Sequence, residues 1–147
     1  GPDHAQIAAM AGIADYIDAL HTRHFPTNAA ADGRAARVHD LMRGQEIALM
    51  RPLLDYLRGR NDIRLLGPTE AELRAPTVAL VHARPGEALA ADLAAHRIMA
   101  GGGDFYARRL VEALGIDADH GVLRLSFLHY TSPAEIDQLI GALDRVL

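Results

Sequence analysis

Apolar residues recur at helical spacing twice in the first part of the chain. Ile7, Met10, Ala14 and Ile17 fall at i, i+3, i+7 and i+10, with Ile13 and Leu20 beside them. That spacing predicts a helix over 4–21, with Asp3 as its N-cap. Pro26, Asn28, Asp32 and Gly33 follow as breakers. Val38, Leu41, Met42, Leu49, Met50, Leu53, Leu54 and Leu57 then form one face of a longer helix, about Arg34 to Leu57. Pro52 lies inside it. A proline there deletes a backbone hydrogen bond and crowds the preceding turn, which predicts a kink near Ala48 or two segments meeting there. Gly59 is the expected C-cap.

The pattern changes after Gly59. Ile63–Leu66 and Thr77–His82 read as short strands bounded by Gly67-Pro68 and Pro76. Glu87–His96 reads as a helix with Leu89 and Leu93 inward, and Arg97–Ala100 as a third strand. Gly101-Gly102-Gly103 is expected to be a turn. Asp104 is expected to cap a helix that runs to Leu114 and stops at Gly115. Val122–Leu128 is the last predicted strand. Ser132, Pro133 and Glu135 then give S-x-x-E with proline at the first helical position, the signature of a capping box. The order β-β-α-β-α-β-α predicts an α/β domain of the α+β two-layer type. A small, largely antiparallel sheet is covered by helices and preceded by two long helices.

Composition narrows the chemistry. At 147 residues, half of them hydrophobic, the chain has enough apolar surface for one real core. A net charge of -4 argues against a nucleic-acid partner, which needs a basic stripe. No apolar run approaches the ~18 residues of a membrane span, and no signal peptide opens the chain, so a cytoplasmic location is expected. There is no cysteine, which removes disulfides, thiolate nucleophiles and thiolate metal sites. All fifteen basic residues are arginine. A Schiff-base lysine or a phosphate-loop lysine is therefore absent from this chain.

Few residues offer reactive chemistry. In an extended strand, Leu123, Leu125 and Phe127 share one face and Arg124, Ser126 and Leu128 the other. Arg124 presents a planar fork of donors that fits a carboxylate. It equally suits a surface ion pair, and on spacing alone the ion pair is favoured. Gly101–Gly103 before a helix start offers an anion cradle, but without lysine or G-x-G-x-x-G a simple turn is the better account. His21 and His24 are the one close histidine pair at helical spacing, too few ligands for a metal. His39-Asp40 and His129-Tyr130 have no serine nucleophile elbow beside them. Met42, Met50 and Met99 are expected in the core.

The ending Arg124-Leu-Ser-Phe-Leu-His-Tyr130-Thr131-Ser132-Pro-Ala-Glu135-Ile136-Asp137 resembles the C-terminal end of class V aminotransferases. These are fold-type I pyridoxal-phosphate (PLP) proteins that include the cysteine desulfurases. Leu65-Leu66-Gly67-Pro68, Arg74-Ala75-Pro76-Thr77-Val78 and Gly103-Asp104-Phe105-Tyr106-Ala107 resemble the desulfurase-like subgroup. The resemblance implies that residues 1–33 are a linker helix from a missing large domain and 34–147 the C-terminal small domain. It implies pyridoxal 5'-phosphate in a parent protein, with no covalent attachment to this chain. It also implies a homodimer, an amino-acid substrate, and partnership with the large PLP-binding domain. Arg124 would bind the substrate α-carboxylate with Ser126 nearby, and Gly102, Gly103, Asp104 and Tyr106 would form the cleft loop. One departure stands out. Shorter-loop desulfurases carry a cysteine near the position of Asp104, so persulfide chemistry has no thiol here, and aminotransferase, lyase or epimerase chemistry stays open. The alternative is a free-standing ligand-binding or dimerisation module without catalytic activity.

Overall fold

The computed structural model describes residues 3–26 and 33–147. The predicted breakers Asn28 and Asp32 lie outside the described residues, as do parts of the proposed linker segment 1–33. The chain forms two compact units, one ending at Gly44 and the other spanning Gln45–Leu147.

In the first unit, α1 runs His4–His24. Its first turn is capped as expected, with Asp3 Oδ1 accepting from the Ala5 and Gln6 amides. Ile7, Met10 and Ile13 remain exposed along it. The buried polar residue here is His21, stacked on Phe25 at 5.1 Å between ring centroids. Arg37 Nε donates to His21 Nε2 at 3.3 Å, and Arg34 pairs with Asp18 at 2.6 Å. An imidazole nitrogen that accepts from a guanidinium must be unprotonated. Burial first, then Arg37 and Arg34, lower the pKa of His21 below 6.5, against a smaller opposing effect from Asp18.

Helix α2 runs Arg34–Arg58 and is a single helix through Pro52, rather than two segments. Its stretch in the second unit supplies Leu49, Met50, Leu53, Leu54 and Leu57 to that unit's core. The remaining elements are β1 (Ile63–Leu66), a 3-10 turn at Ala71–Leu73, β2 (Thr77–His82), α3 (Gly86–Ala95), β3 (Gly101–Gly103), α4 (Arg108–Ala113), β4 (Val122–Ser126) and α5 (Pro133–Val146). The sheet is antiparallel throughout, in the order β1-β2-β4-β3. This is an α+β fold with an open four-stranded sheet.

Alternation along the strands separates two apolar clusters. Leu65, Leu80 and Leu123 stand in register across one face. They pack with Val78, Leu125 and Phe127 and with residues from α2, α3 and α5, including Leu89, Leu93, Ile136 and Leu143. On the other face, Leu66, Ala79, Arg124 and Gly101 are in register. There a smaller cluster of Val111, Ile116, Ala118 and Val122 packs with Leu66, Ala79, Val81 and Phe105. The second face is thus partly covered by the segment around α4.

The region between α3 and α4 departs most from the sequence reading. Arg97–Ala100 is not a strand. Arg97 takes φ 63° just past α3, with its amide bonded to Ala94 O and that of Ile98 to Leu93 O at 3.0 Å. Those two bonds are a Schellman ending, filled here by arginine instead of glycine. The strand is formed by Gly101–Gly103 themselves, so the expected turn is β3. Asp104 caps no helix: α4 starts four residues later with Ala107 at the N-cap and no side-chain cap. Met99 is fully exposed rather than in the core, and Met42 is half-buried.

The glycines permit this arrangement by their lack of a side chain. A Cβ on Gly102 would overlap the backbone of Gly86 and Glu87 at the start of α3, and one on Gly86 would overlap Val122. A Cβ on Gly121 would lie 2.6 Å from Gly103 Cα. Three backbone segments therefore meet without side chains between them. The seam is closed by Gly86 N to His120 O at 3.0 Å and by His120 Nε2 to His82 O at 2.9 Å. Ser132 caps α5 in a full capping box with Glu135. The Ser132 amide and hydroxyl hold the Glu135 carboxyl pKa below its usual value.

Two outcomes are expected. Gly102→Ala should destabilise the chain by about 2 kcal/mol or more through backbone displacement. Gly141→Ala, in a helical position with nothing within 4 Å of the added Cβ, should be neutral or stabilising by up to about 1 kcal/mol. Urea midpoints of the two variants compare them directly, and equal midpoints would refute the seam. For His21 the folded pKa is the lower one, so the unfolded chain binds more protons. Its stabilisation is then complete above pH 6.5 and is lost as pH falls through 6.5 toward the folded value. The stability difference between wild type and His21→Gln should shrink on that acidification. A difference independent of pH would contradict the assignment.

Candidate functional site around Arg124

Strand β4 lies between β2 and β3, so its middle residue is held from both sides. Arg124 pairs with Ala79 on β2 and Gly101 on β3. Its neighbours Leu123 and Leu125 are buried at 0% and 2% exposure, while Arg124 itself is exposed. The alternation expected for this strand is therefore present. Sliding the strand by one residue would bury the guanidinium, which strongly opposes any other register.

The guanidinium lies over the Phe105 ring, with Cζ 3.9 Å from its centroid. Phe105 rests in turn over Gly101, where a Cβ would fall 2.7 Å from Phe105 Cε1. Glycine at 101 is the space the ring occupies. Among the described residues Arg124 makes no salt bridge, so the surface ion pair favoured on spacing alone is not what is found. Several other arginines on the unit are engaged. Arg108 is paired with Glu112 and Asp119, and Arg60 with Asp62 and Asp144. Arg74, within the Arg74–Val78 segment, donates to the carbonyls of Leu66, Pro68 and Thr77. Burial lowers its pKa. Arg74 is thus a clamp for the connection between β1 and β2.

Ser126 stands two residues along the same face as Arg124 and bonds Thr77 Oγ1 to its own Oγ at 3.2 Å across the strand pair. It also borders an open groove of about 300 Å³ lined by Arg97, Met99, Phe127, Thr131 and Glu135, a groove Arg124 does not line. Gly102 and Gly103 are in β3, with Gly102 turned to α3. They are not part of a loop. Asp104 accepts the Tyr106 amide at 3.0 Å in a local turn. Phe105 and Tyr106 both hold positive φ, 54° and 61°. For residues with a Cβ this conformation costs about 1–2 kcal/mol each. Tyr106 is fully exposed.

The structure thus brings Arg124 together with Phe105 and Gly101, neither of which the strand pattern singled out. A glycine run followed closely by an aromatic was the available signal, but only the pairing of Gly101 with Arg124 makes them neighbours. Among the described residues no group of three or more His, Asp or Glu side chains is placed to hold a metal ion. No described helix is long and apolar enough to cross a membrane.

No family model matches the chain. The aminotransferase-like protein FGM3 of Gibberella zeae is 32% identical over 113 residues, covering 74% of this chain and 28% of that protein. The cysteine desulfurase of Thermococcus onnurineus NA1 superposes with a TM-score of 0.65 at 26% identity, over 77% of this chain and 29% of that one. The chain is a relative of the class V aminotransferases and cysteine desulfurases. The same fold recurs in the cysteine desulfurase CsdA of Escherichia coli, with a TM-score of 0.59 at 24% identity over 83% of this chain and 31% of that one. The chain therefore spans under a third of the length of the relatives it matches, an extent that fits one small domain of such proteins.

Because Tyr106 is strained and its side chain makes little packing contact, Tyr106→Gly should raise stability by up to about 1 kcal/mol. Thermal unfolding checks it. A lowered Tm would mean that the phenol ring contributes packing after all.

Proposed function

We propose that this chain serves as the small domain of a PLP-dependent enzyme acting on an amino acid, and that Arg124 anchors the substrate α-carboxylate. The observation that carries the reading is the position of Arg124. Its guanidinium is exposed on the sheet, stacked on one face, and without a salt bridge among the described residues. An arginine in that state keeps its N–H edge available for a bidentate carboxylate. The relationship to aminotransferase-like and desulfurase proteins supplies the substrate class.

The chain's residues do not themselves fit the cofactor. There is no lysine to form an imine with it. In this reading the cofactor and its lysine belong to a large domain, residues 1–33 link the two, and the active assembly is a cytoplasmic homodimer. Arg124 is then half of a site whose other half is on that domain. That accounts for its standing on an exposed face rather than inside the groove beside Ser126. Ser126, paired with Thr77, keeps the strand next to Arg124 extended, and Asp104 and Tyr106 line the approach. With aspartate rather than cysteine at 104 and no thiol anywhere in the chain, transamination, elimination or epimerisation of an amino acid fits better than sulfur transfer by this segment.

The coding sequence around this chain is the first check. A contiguous or co-encoded PLP domain with its lysine is expected, and a coding region without one overturns the reading. In the holoenzyme, Arg124→Ala should raise KM for the amino acid about 100-fold, with Arg124→Lys in between, since loss of a charged bidentate pair is worth about 3 kcal/mol. An unchanged KM in Arg124→Ala would reject the carboxylate role.

A further inference from the structure

We infer that Phe105 is a positioning residue for Arg124, an inference that rests on the reading of Arg124 as a carboxylate anchor. A guanidinium on an exposed strand has four side-chain torsions and would sample many orientations. A carboxylate bound in two parallel bonds requires one of them. The Phe105 ring meets the guanidinium at 3.9 Å from its centroid and occupies one of its two faces. A stacked guanidinium keeps its N–H groups at the edge, where they point away from the ring. The ring thus restricts orientation without consuming a donor, which a carboxylate partner in its place would do.

Two features hold the ring in place. Gly101, directly opposite Arg124 in the sheet, leaves the volume that the ring fills, and any side chain there would meet Phe105 Cε1 at 2.7 Å. The loop that carries the ring is fixed by the Asp104 carboxylate on the Tyr106 amide and by the Ala107 amide on Asp104 O at 2.9 Å. It also keeps Phe105 and Tyr106 at positive φ. Backbone strain of that kind persists only where surrounding contacts over-determine it. The contacts here are the half-buried placement of Phe105 against Val111, Ile116, Ala118 and Val122. One aromatic side chain therefore links the smaller apolar cluster to the guanidinium.

The test uses the 147-residue chain, with L-alanine as the carboxylate probe, and follows the Arg124 side-chain Nε–Hε resonance by NMR. Ring-current displacement of that resonance is expected in wild type and in Phe105→Tyr, and is expected to vanish in Phe105→Leu and in Gly101→Ala. An undisplaced wild-type resonance, or one unaltered by Phe105→Leu, overturns the inference whatever the ligand does. On titration, Phe105→Leu should weaken L-alanine binding about threefold to fivefold while Phe105→Tyr retains it. Arg124→Ala should abolish it. If Arg124→Ala abolishes binding and Phe105→Leu leaves affinity unchanged, the positioning role fails and the anchoring role stands. If Arg124→Ala binds as wild type does, the anchoring role fails, and this inference with it. Should Phe105→Leu fail to fold, Phe105→Met reports the same two quantities.

Discussion

The fold of the second unit depends on a place where backbone meets backbone with no side chains between. Gly86 at the start of α3, Gly102 and Gly103 in β3 and Gly121 before β4 approach closely enough that a Cβ at 86, 102 or 121 would overlap a neighbour. This contact lets α3 lie against the end of the sheet and lets a three-residue strand pair with β4. Without it β3 would have no room beside α3, and β4 would be an edge strand along its whole length. Burial energy from Leu89, Leu93 and Leu123 can only be realised once these backbones have closed.

The seam also determines the opposite face of the sheet. With Gly102 turned toward α3, Gly101 is turned the other way, opposite Arg124. The chain must then leave β3 and double back over that second face, which it does through two consecutive positive-φ residues. Phe105 lands on the only residue type that leaves space for it, and Arg124 lies across the ring. The stacked pair is thus a consequence of how the glycines are divided between the two faces, and the strain at Phe105 and Tyr106 is the local cost of that route.

The chain spans under a third of the length of the aminotransferase-like protein and the cysteine desulfurase it resembles. The chemistry of this chain fits that scale. It has an exposed arginine lying over an aromatic ring, and neither cysteine nor lysine. In the proposed role, Arg124 would recognise and orient a carboxylate. Such a contribution gains strength when a second domain excludes water and lowers the local dielectric around the pair.

Local rules were enough for the ends and middles of most elements. Asp3 and the Ser132–Glu135 box act through hydrogen bonds within three residues, and Pro133 through a ring that fixes φ where no donor is needed. The apolar stripes of α2 and α5 and the alternation of Leu123, Arg124 and Leu125 follow from helix and strand periods. All of that is legible one window at a time. What the sequence could not disclose lies in the 97–107 stretch. A glycine triplet carries no period, and whether it turns or extends depends on α3 and β4, residues far away in the chain. Arg97 ends α3 in a conformation normally left to glycine, because the bonds to Ala94 and Leu93 and the path toward β3 require it. Periodicity therefore determined that Arg124 faces outward. Only tertiary structure decided that it would stand on Phe105, since that contact joins a strand, a neighbouring glycine and a strained loop that no local pattern connects.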